Sequence, residues 1–255
     1  MVNKDIYIFV QARETSTRFP KKIFKKLGNK SIIEIMVERL KKTKIQNKNI
    51  VFLIPSNKKN SSLDVFLKRK NINYFKGSEK NVLSRYYLAS NKLKAKTIIR
   101  LTGDCPFVDP NLINKMLKTY QNDKKLEYFS NICPPSFPDG LDVEIFSKKA
   151  LNFSFKESQT SFDKEHVTTK IRRSNNLNKK NLLLSKNYNN IKISVDNKID
   201  YKNIKFVYNT LKKNNKNFGF KDVISNKKIL NYFDSKKENL SILKNQTKNS
   251  RILWQ

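Results

Sequence analysis

Short apolar runs alternate with amphipathic stretches from Ile6 onward, and no other feature of the chain limits its fold as much. Ile6–Val10 is an unbroken apolar run, which suits a strand covered on both faces better than one half exposed to water. Ser31–Lys42 follows, with Ile32, Ile35, Met36 and Leu40 at helical spacing. The same order then recurs. The pattern predicts strands at Asn49–Ile54, Ile72–Phe75, Thr97–Leu101 and Tyr128–Asn131, and helices at Ser61–Arg69, Asn81–Ser90 and Asn111–Asn122. Parallel strands need crossover connections, and the helices supply them. The expected fold class is therefore α/β with a mostly parallel sheet.

The second half is less regular. Cys133 to Leu141 holds three prolines and an Asp139-Gly140 turn, so it reads as a loop. A strand is predicted at Asp142–Phe146, a helix at Asp163–Arg172, an alternating strand through Ile191, Ile193 and Val195, and a helix at Ile199–Lys213. Beyond Asn214 the chain is rich in Lys and Asn, with apolar islands at Val223, Ile224, Ile229 and Leu230. The expected organisation is one domain over residues 1–213 and a helical extension, 214–255, packed on it. A chain of 255 residues can bury a sizeable core.

The formal net charge of +33 raises the question of a polyanionic partner. The lysines are scattered over nearly every predicted helix and loop, which favours a compositional bias over a nucleic-acid surface. No apolar stretch approaches the roughly 20 residues that cross a membrane. The N-terminus lacks the long apolar segment of a signal peptide. Cys105 and Cys133 have no metal-ligand spacing. The expectation is a reduced, cytoplasmic protein with no membrane span.

In open α/β sheets, ligands bind beyond the carboxyl ends of the strands. Three loops there carry unusual chemistry. The stretch VQARETSTRFPKK, Val10 to Lys22, puts Arg13, Ser16, Thr17, Arg18 and Lys22 directly after the first strand. These donors suit a polyphosphate. The stretch is neither a P-loop nor a dinucleotide fingerprint, and charge alone does not separate a phosphate cradle from a solvated basic loop. In LTGDCP, Asp104 is a lone carboxylate after a strand and a glycine turn. Mg²⁺ typically takes one or two protein carboxylates plus phosphate oxygens, although a turn aspartate bonded to its own backbone has the same signature. In SVDN, Asp196 again follows an apolar strand. Two such aspartates can meet on one metal, and with the cationic loop they describe a nucleotide–metal site.

Six segments extend this reading: VQARETSTRFPKKIF, FKGSEKNVLSRYY, IIRLTGDCPFVDP, FPDGLDVEIF, DKEHVT and SVDNKIDYKNIKFVY, in that order across residues 10 to 208. They resemble the sugar-acid cytidylyltransferases, which include the acylneuraminate and 3-deoxy-manno-octulosonate enzymes, and look closest to the spore-coat polysaccharide type. The resemblance implies the Rossmann-like fold of the nucleotide-diphospho-sugar transferases. It also implies transfer of CMP from CTP to a sugar with release of pyrophosphate, with Mg²⁺ as cofactor and a homodimeric enzyme. On the matching positions, Gln11, Ala12, Arg13, Ser16, Arg18, Lys22, Thr102 and Asp104 would bind the nucleotide. Arg13, Arg18, Lys22 and Asp104 would be catalytic, and Asp104 and Asp196 would hold the metal. The chain departs from the family pattern at two places. Glu14-Thr15 precede Ser16 where a Gly is frequent, so Glu14 is expected to point away or to pair with Arg13 or Arg18. Lys21 stands where a Gly is usual.

Sugar recognition is expected at Asp139, Asp142 and Glu144 in FPDGLDVE and at Glu165 and His166 in DKEHVT. Strand alternation places Asp142 and Glu144 on one side, where a solvated edge would give the same pattern. His166 is the only histidine, which excludes a histidine metal cluster. Arg85, in LSRYY, would face either a phosphate or solvent. Two other functions compete with this reading. A nucleotide-sugar glycosyltransferase of related fold would carry a DxD-type motif where this chain has Thr102-Gly103-Asp104. A nonenzymatic polyanion-binding protein leaves the paired aspartates unexplained.

Overall fold

The computed structural model describes residues 4–212 and 217–235. In chain order, β1 (Ile6–Gln11) leads through the basic loop to a small hairpin, β2 (Lys26–Leu27) and β3 (Lys30–Ser31). There follow α1 (Ile32–Leu40), β4 (Ile50–Pro55), α2 (Ser61–Arg69), β5 (Asn73–Gly77), α3 (Val82–Lys92), β6 (Thr97–Thr102) and α4 (Pro110–Asn122). The second half holds β7 (Tyr128–Ser130), β8 (Glu144–Ser147), α5 (Lys148–Glu157), α6 (Ser161–His166), α7 (Thr169–Arg173), β9 (Lys179–Asn181), α8 (Lys198–Lys212), α9 (Phe220–Ser225) and α10 (Lys227–Asp234).

Local chemistry sets the helix starts. Ser31 and Glu34 form a reciprocal capping box on α1: the Ser31 Oγ accepts from the Glu34 N–H and the Glu34 carboxylate accepts from the Ser31 N–H. Asn81 caps α3 through Ser84 N–H, and Asp109 caps α4, with Pro110 in the first turn.

Seven strands form one sheet in the order β5-β4-β1-β6-β8-β7-β9. The strands β5, β4, β1 and β6 are parallel to one another, and β8 runs antiparallel between β6 and β7. Alternate residues of the central strands enter two cores. Ile8, Val10, Phe52 and Ile99 pack on one face, and Phe9, Val51, Leu53 and Ile98 on the other. This double burial is why these strands read as continuous apolar runs. The register aligns Gln11 with Leu53 on one side and Thr102 on the other. Three strand ends thus open at one level, and the functional loops leave from there. Helices α9 and α10 bury Val223, Ile229 and Phe233 in the same core as β1 and α1. Residues 213–216 and 236–255 lie outside the described residues.

Three local expectations are corrected. The strand expected at Asp142–Phe146 is Glu144–Ser147, so Asp142 lies ahead of it and is exposed, while Glu144 is buried. Ile191, Ile193 and Val195 make no strand; Lys192 forms a single bridge with Asp139. The segment instead bonds to loops, with Ile193 N–H and Ser194 N–H donating to the Asp139 carbonyl and Val195 N–H to the Asp104 carbonyl. The helix expected at Asp163–Arg172 breaks at Val167 (φ 62, ψ −53), where Thr168 N–H donates to the His166 carbonyl at 2.6 Å. That is a γ-turn of the strained hand, on a β-branched residue that rarely adopts positive φ. It is held by buried groups on both sides: Ser154 donates to the Val167 carbonyl, and Thr168 to Glu144.

Candidate active site

The basic loop is organised around one residue that turns away from it. Glu14 is 3% exposed, and its carboxylate accepts from Leu63 N–H at 2.7 Å. Leu63 is the third residue of α2, whose own cap residue, Asn60, makes no side-chain bond to the helix. The Asn60 side-chain Oδ1 accepts instead from Glu14 N–H at 2.7 Å. The two residues form a capping pair across 46 positions of sequence, with the Glu14 charge at the positive end of the helix. The Glu14 carbonyl also accepts from Ser16 N–H and Lys21 N–H, which closes the loop on itself. Lys21 adopts the left-handed conformation (φ 52, ψ 28) that a glycine would take at less cost.

This closure sends Lys22 inward. Its ammonium is buried and donates to Asp104 Oδ2 at 2.7 Å and to Asp196 Oδ1 at 3.2 Å. Burial alone would lower the Lys22 pKa; the two carboxylates outweigh it and raise it. The aspartates meet through backbone contacts. Gly103 N–H donates to the Gln11 carbonyl at 2.8 Å, and a Cβ at Gly103 would stand 2.8 Å from that of Ala12, so the β6 turn lies flat against the end of β1. Val195 N–H then ties the later loop to the Asp104 carbonyl. Gly140 (φ 112) lets the Asp139 turn pass within contact of Ser194.

Asp196 is ringed by cations. Arg18 lies at 3.2 Å, and Lys192 at 3.0 Å, also reaching Asp200 at 2.9 Å. Burial works to raise the Asp196 pKa, but Lys192, Lys22 and Arg18 hold the carboxyl at about 2. Lys192 was not anticipated from sequence, although the alternation through Ile191, Ile193 and Val195 places Lys192, Ser194 and Asp196 on the opposite side.

Arg18, Lys22, Asp104 and Asp196 line a cleft of about 170 Å³ that also takes in Gln11, Ala12, Arg13, Ser16, Thr102, Arg85 and Glu165. All eight positions matched to nucleotide binding are in its wall. A wider groove of about 500 Å³ runs past Phe24, Glu34, Val65 and Arg69 and brings no pair of carboxylates together. Two aspartate oxygens converge on a single cation, the Lys22 ammonium, and the same two carboxylates would hold a divalent metal. Hard oxygen donors of this kind fit Mg²⁺. Among the described residues there is no cluster of three or more His, Cys, Asp or Glu, so such an ion would complete its shell with phosphate oxygens and water.

The residues expected to meet the sugar divide. Glu165 is at the cleft, ion-paired to Arg13 at 3.4 Å, and His166 is exposed beside it, its ring tilted against Phe162. The Asp139 carboxylate accepts from Ser194. Asp142 is exposed; desolvation by the surrounding protein, and then the charges of Asp139, Glu144 and Asp104, push its pKa up to about 7 against the pull of Arg100. Glu144 does not share an accessible face with Asp142. It is 1% exposed, paired with Arg100, and accepts from Tyr128 OH at 2.7 Å and Thr168 Oγ1 at 2.5 Å. Through Thr168 it anchors the strained turn at Val167, which directly follows Glu165 and His166; of these two, Glu165 lines the cleft.

A profile of cytidylyltransferases matches residues 7–240. The spore coat polysaccharide biosynthesis protein SpsF of Bacillus subtilis is 29% identical over 212 residues, covering 80% of this chain and 86% of its own. The structure of a cytidylyltransferase from Leptospira borgpetersenii superposes with a TM-score of 0.81 at 24% identity, over 98% of this chain and 99% of that one. A CMP:2-keto-3-deoxy-manno-octonic acid synthetase in complex with CTP superposes at 0.61 and 13% identity, over 80% and 98%. No described helix is long and apolar enough to cross a membrane. With the sheet order, the paired aspartates and a family match over nearly its whole length, the chain belongs to the cytidylyltransferase family and is a CTP-dependent nucleotidyltransferase.

Proposed function

We propose that this enzyme transfers CMP from CTP to a hydroxyl of a keto-sugar acid, releasing pyrophosphate, in the biosynthesis of a cell-surface polysaccharide or glycoconjugate. The observation that carries the proposal is the convergence of Asp104 and Asp196 on Lys22 beneath Arg13 and Arg18. The sugar hydroxyl attacks the α-phosphorus in line, a new O–P bond forms, and the bond to the β-phosphate oxygen breaks with its electron pair leaving on pyrophosphate. Phosphoryl chemistry of this kind depends mainly on positioning and electrostatics. Arg13, Arg18 and Lys22 neutralise the triphosphate and the departing pyrophosphate, and Ser16 and Thr102 add hydroxyl donors. Asp104 and Asp196 would hold Mg²⁺, which when bound neutralises phosphate charge. Asp139, Asp142, Glu165 and His166 bind the sugar.

Titration calorimetry of the protein with CTP, UTP, ATP and GTP, each with Mg²⁺, tests the nucleotide assignment. Selective CTP binding, lost in Asp104→Ala and Arg18→Ala, is expected, and pyrophosphate release then screens acceptor sugars. Equal, weak and salt-sensitive binding of all four would sink it and favour a basic surface.

A further inference from the structure

The two oxygens of Asp196 have different partners. Its Oδ1 meets two residues of the cleft wall, Lys22 and Arg18, each at 3.2 Å. Its Oδ2 accepts from Lys192 at 3.0 Å. Lys192 does not line the cleft, and its other contacts hold it where it is. The same ammonium pairs with Asp200 Oδ2 at 2.9 Å. That oxygen also accepts from the N–H groups of Asp196 and Asn197, at 2.9 and 3.2 Å, and Asp200 is buried. Departure of Lys192 would strip a buried carboxylate of its ion-pair partner, which is costly. The backbone under Lys192 is fixed as well. Ile191, Ile193 and Val195 are buried, and the Asp139 carbonyl holds the N–H groups of Ile193 and Ser194. Arg18, with 67% of its side chain exposed, is under no such constraint and can pass from Asp196 to a phosphate.

One oxygen of Asp196 is therefore committed within the protein, and the other is open to the cleft. Divalent cations of equal charge use a carboxylate differently. Mg²⁺ demands a near-ideal octahedron, and the two oxygens of one carboxylate span too narrow an angle for it. Ca²⁺ takes roughly six to eight oxygens in flexible geometry and accepts a carboxylate through one oxygen or both.

We propose that Lys192 sets the metal selectivity of this enzyme: by occupying Asp196 Oδ2 it limits that aspartate to a single metal bond, which suits Mg²⁺ and disfavours Ca²⁺. This rests on the metal-dependent cytidylyltransferase reading above. Calorimetric titration of the full chain with CTP, in a large excess of either Mg²⁺ or Ca²⁺, reads the preference as a ratio of dissociation constants. The wild-type protein is expected to favour the Mg²⁺ complex of CTP. Lys192→Met keeps the stem and removes the ammonium; it should cut the ratio by on the order of tenfold, chiefly through tighter binding of the Ca²⁺ complex. Lys192→Arg, which still donates to both aspartates, should keep the ratio. A merely structural lysine would weaken both complexes in parallel when replaced. A merely electrostatic one would strengthen both in parallel, because a positive charge beside the site is gone. Either result leaves the ratio unchanged and overturns the proposal. The wild-type titrations carry the test if Lys192→Met does not fold, since equal affinity for the two complexes also overturns it. CTP binding that is undiminished in EDTA would refute the metal site. A protein that binds CTP under none of these conditions would refute the cytidylyltransferase reading, and the Lys192 assignment falls with either.

Discussion

Glu14 tests how the basic loop is built. A carboxylate among Arg13, Arg18 and Lys22 would ordinarily oppose a triphosphate, and removing it would tighten CTP binding. The structure predicts the reverse. In Glu14→Ala, Leu63 N–H loses its only acceptor at a buried helix end. Loss of a cap costs about 1 kcal/mol, and leaving a buried donor unsatisfied adds about 1–2 kcal/mol. The sum is about 2–3 kcal/mol. For a domain of this size each kcal/mol lowers Tm by about 2–4 °C, so a fall of about 4–12 °C is expected. Glu14→Gln keeps an acceptor and loses only the charge at the helix end, about 0.5–1 kcal/mol. CTP affinity should fall in Glu14→Ala, because the Glu14 backbone holds Ser16 and Lys21, and through them Lys22. Thermal unfolding and CTP calorimetry on the three proteins check this. A Glu14→Ala protein with unchanged Tm and tighter CTP binding would refute the capping role.

Lys21→Gly should stabilise the fold slightly, by about 0.5 kcal/mol, since relief of the left-handed conformation exceeds the added unfolded-state entropy; a lower Tm would contradict this. The Asp142 carboxyl binds its proton more tightly in the folded protein, near pH 7, than an unfolded aspartate at 3.8. Stability present at low pH is therefore lost as pH rises from about 4 through 7. Asp142→Asn should remove that decline, and parallel pH–Tm curves for the two proteins would refute the shift. Glu144→Gln leaves the Arg100 guanidinium without its charge partner in a buried site, an expected loss of about 3–5 kcal/mol in denaturant unfolding. A near-neutral change would mean that Arg100 finds another acceptor.

The sequence by itself determined the parallel half of the sheet, because strands covered on both faces and helices that cross over them leave opposite, strong periodicities. It also determined which loops carry charge: Arg13, Arg18, Lys22, Asp104 and Asp196 all line one cleft. Alternation misled at Ile191–Val195, where the same period serves a segment bonded to loops instead of to a strand. It misled again at Asp142 and Glu144, where the strand begins two residues late and divides an exposed carboxyl from a buried one. Only the tertiary structure decided that Glu14 caps a helix 46 residues away, that Lys22 lies between the aspartates, that Lys192 pairs with Asp196, and that Arg85 is buried with no ion pair among the described residues. The physical reason is common to all four. A side chain's charge is local to the sequence, but its partners, and therefore its protonation and its role, are set by whichever distant backbone the sheet register brings alongside.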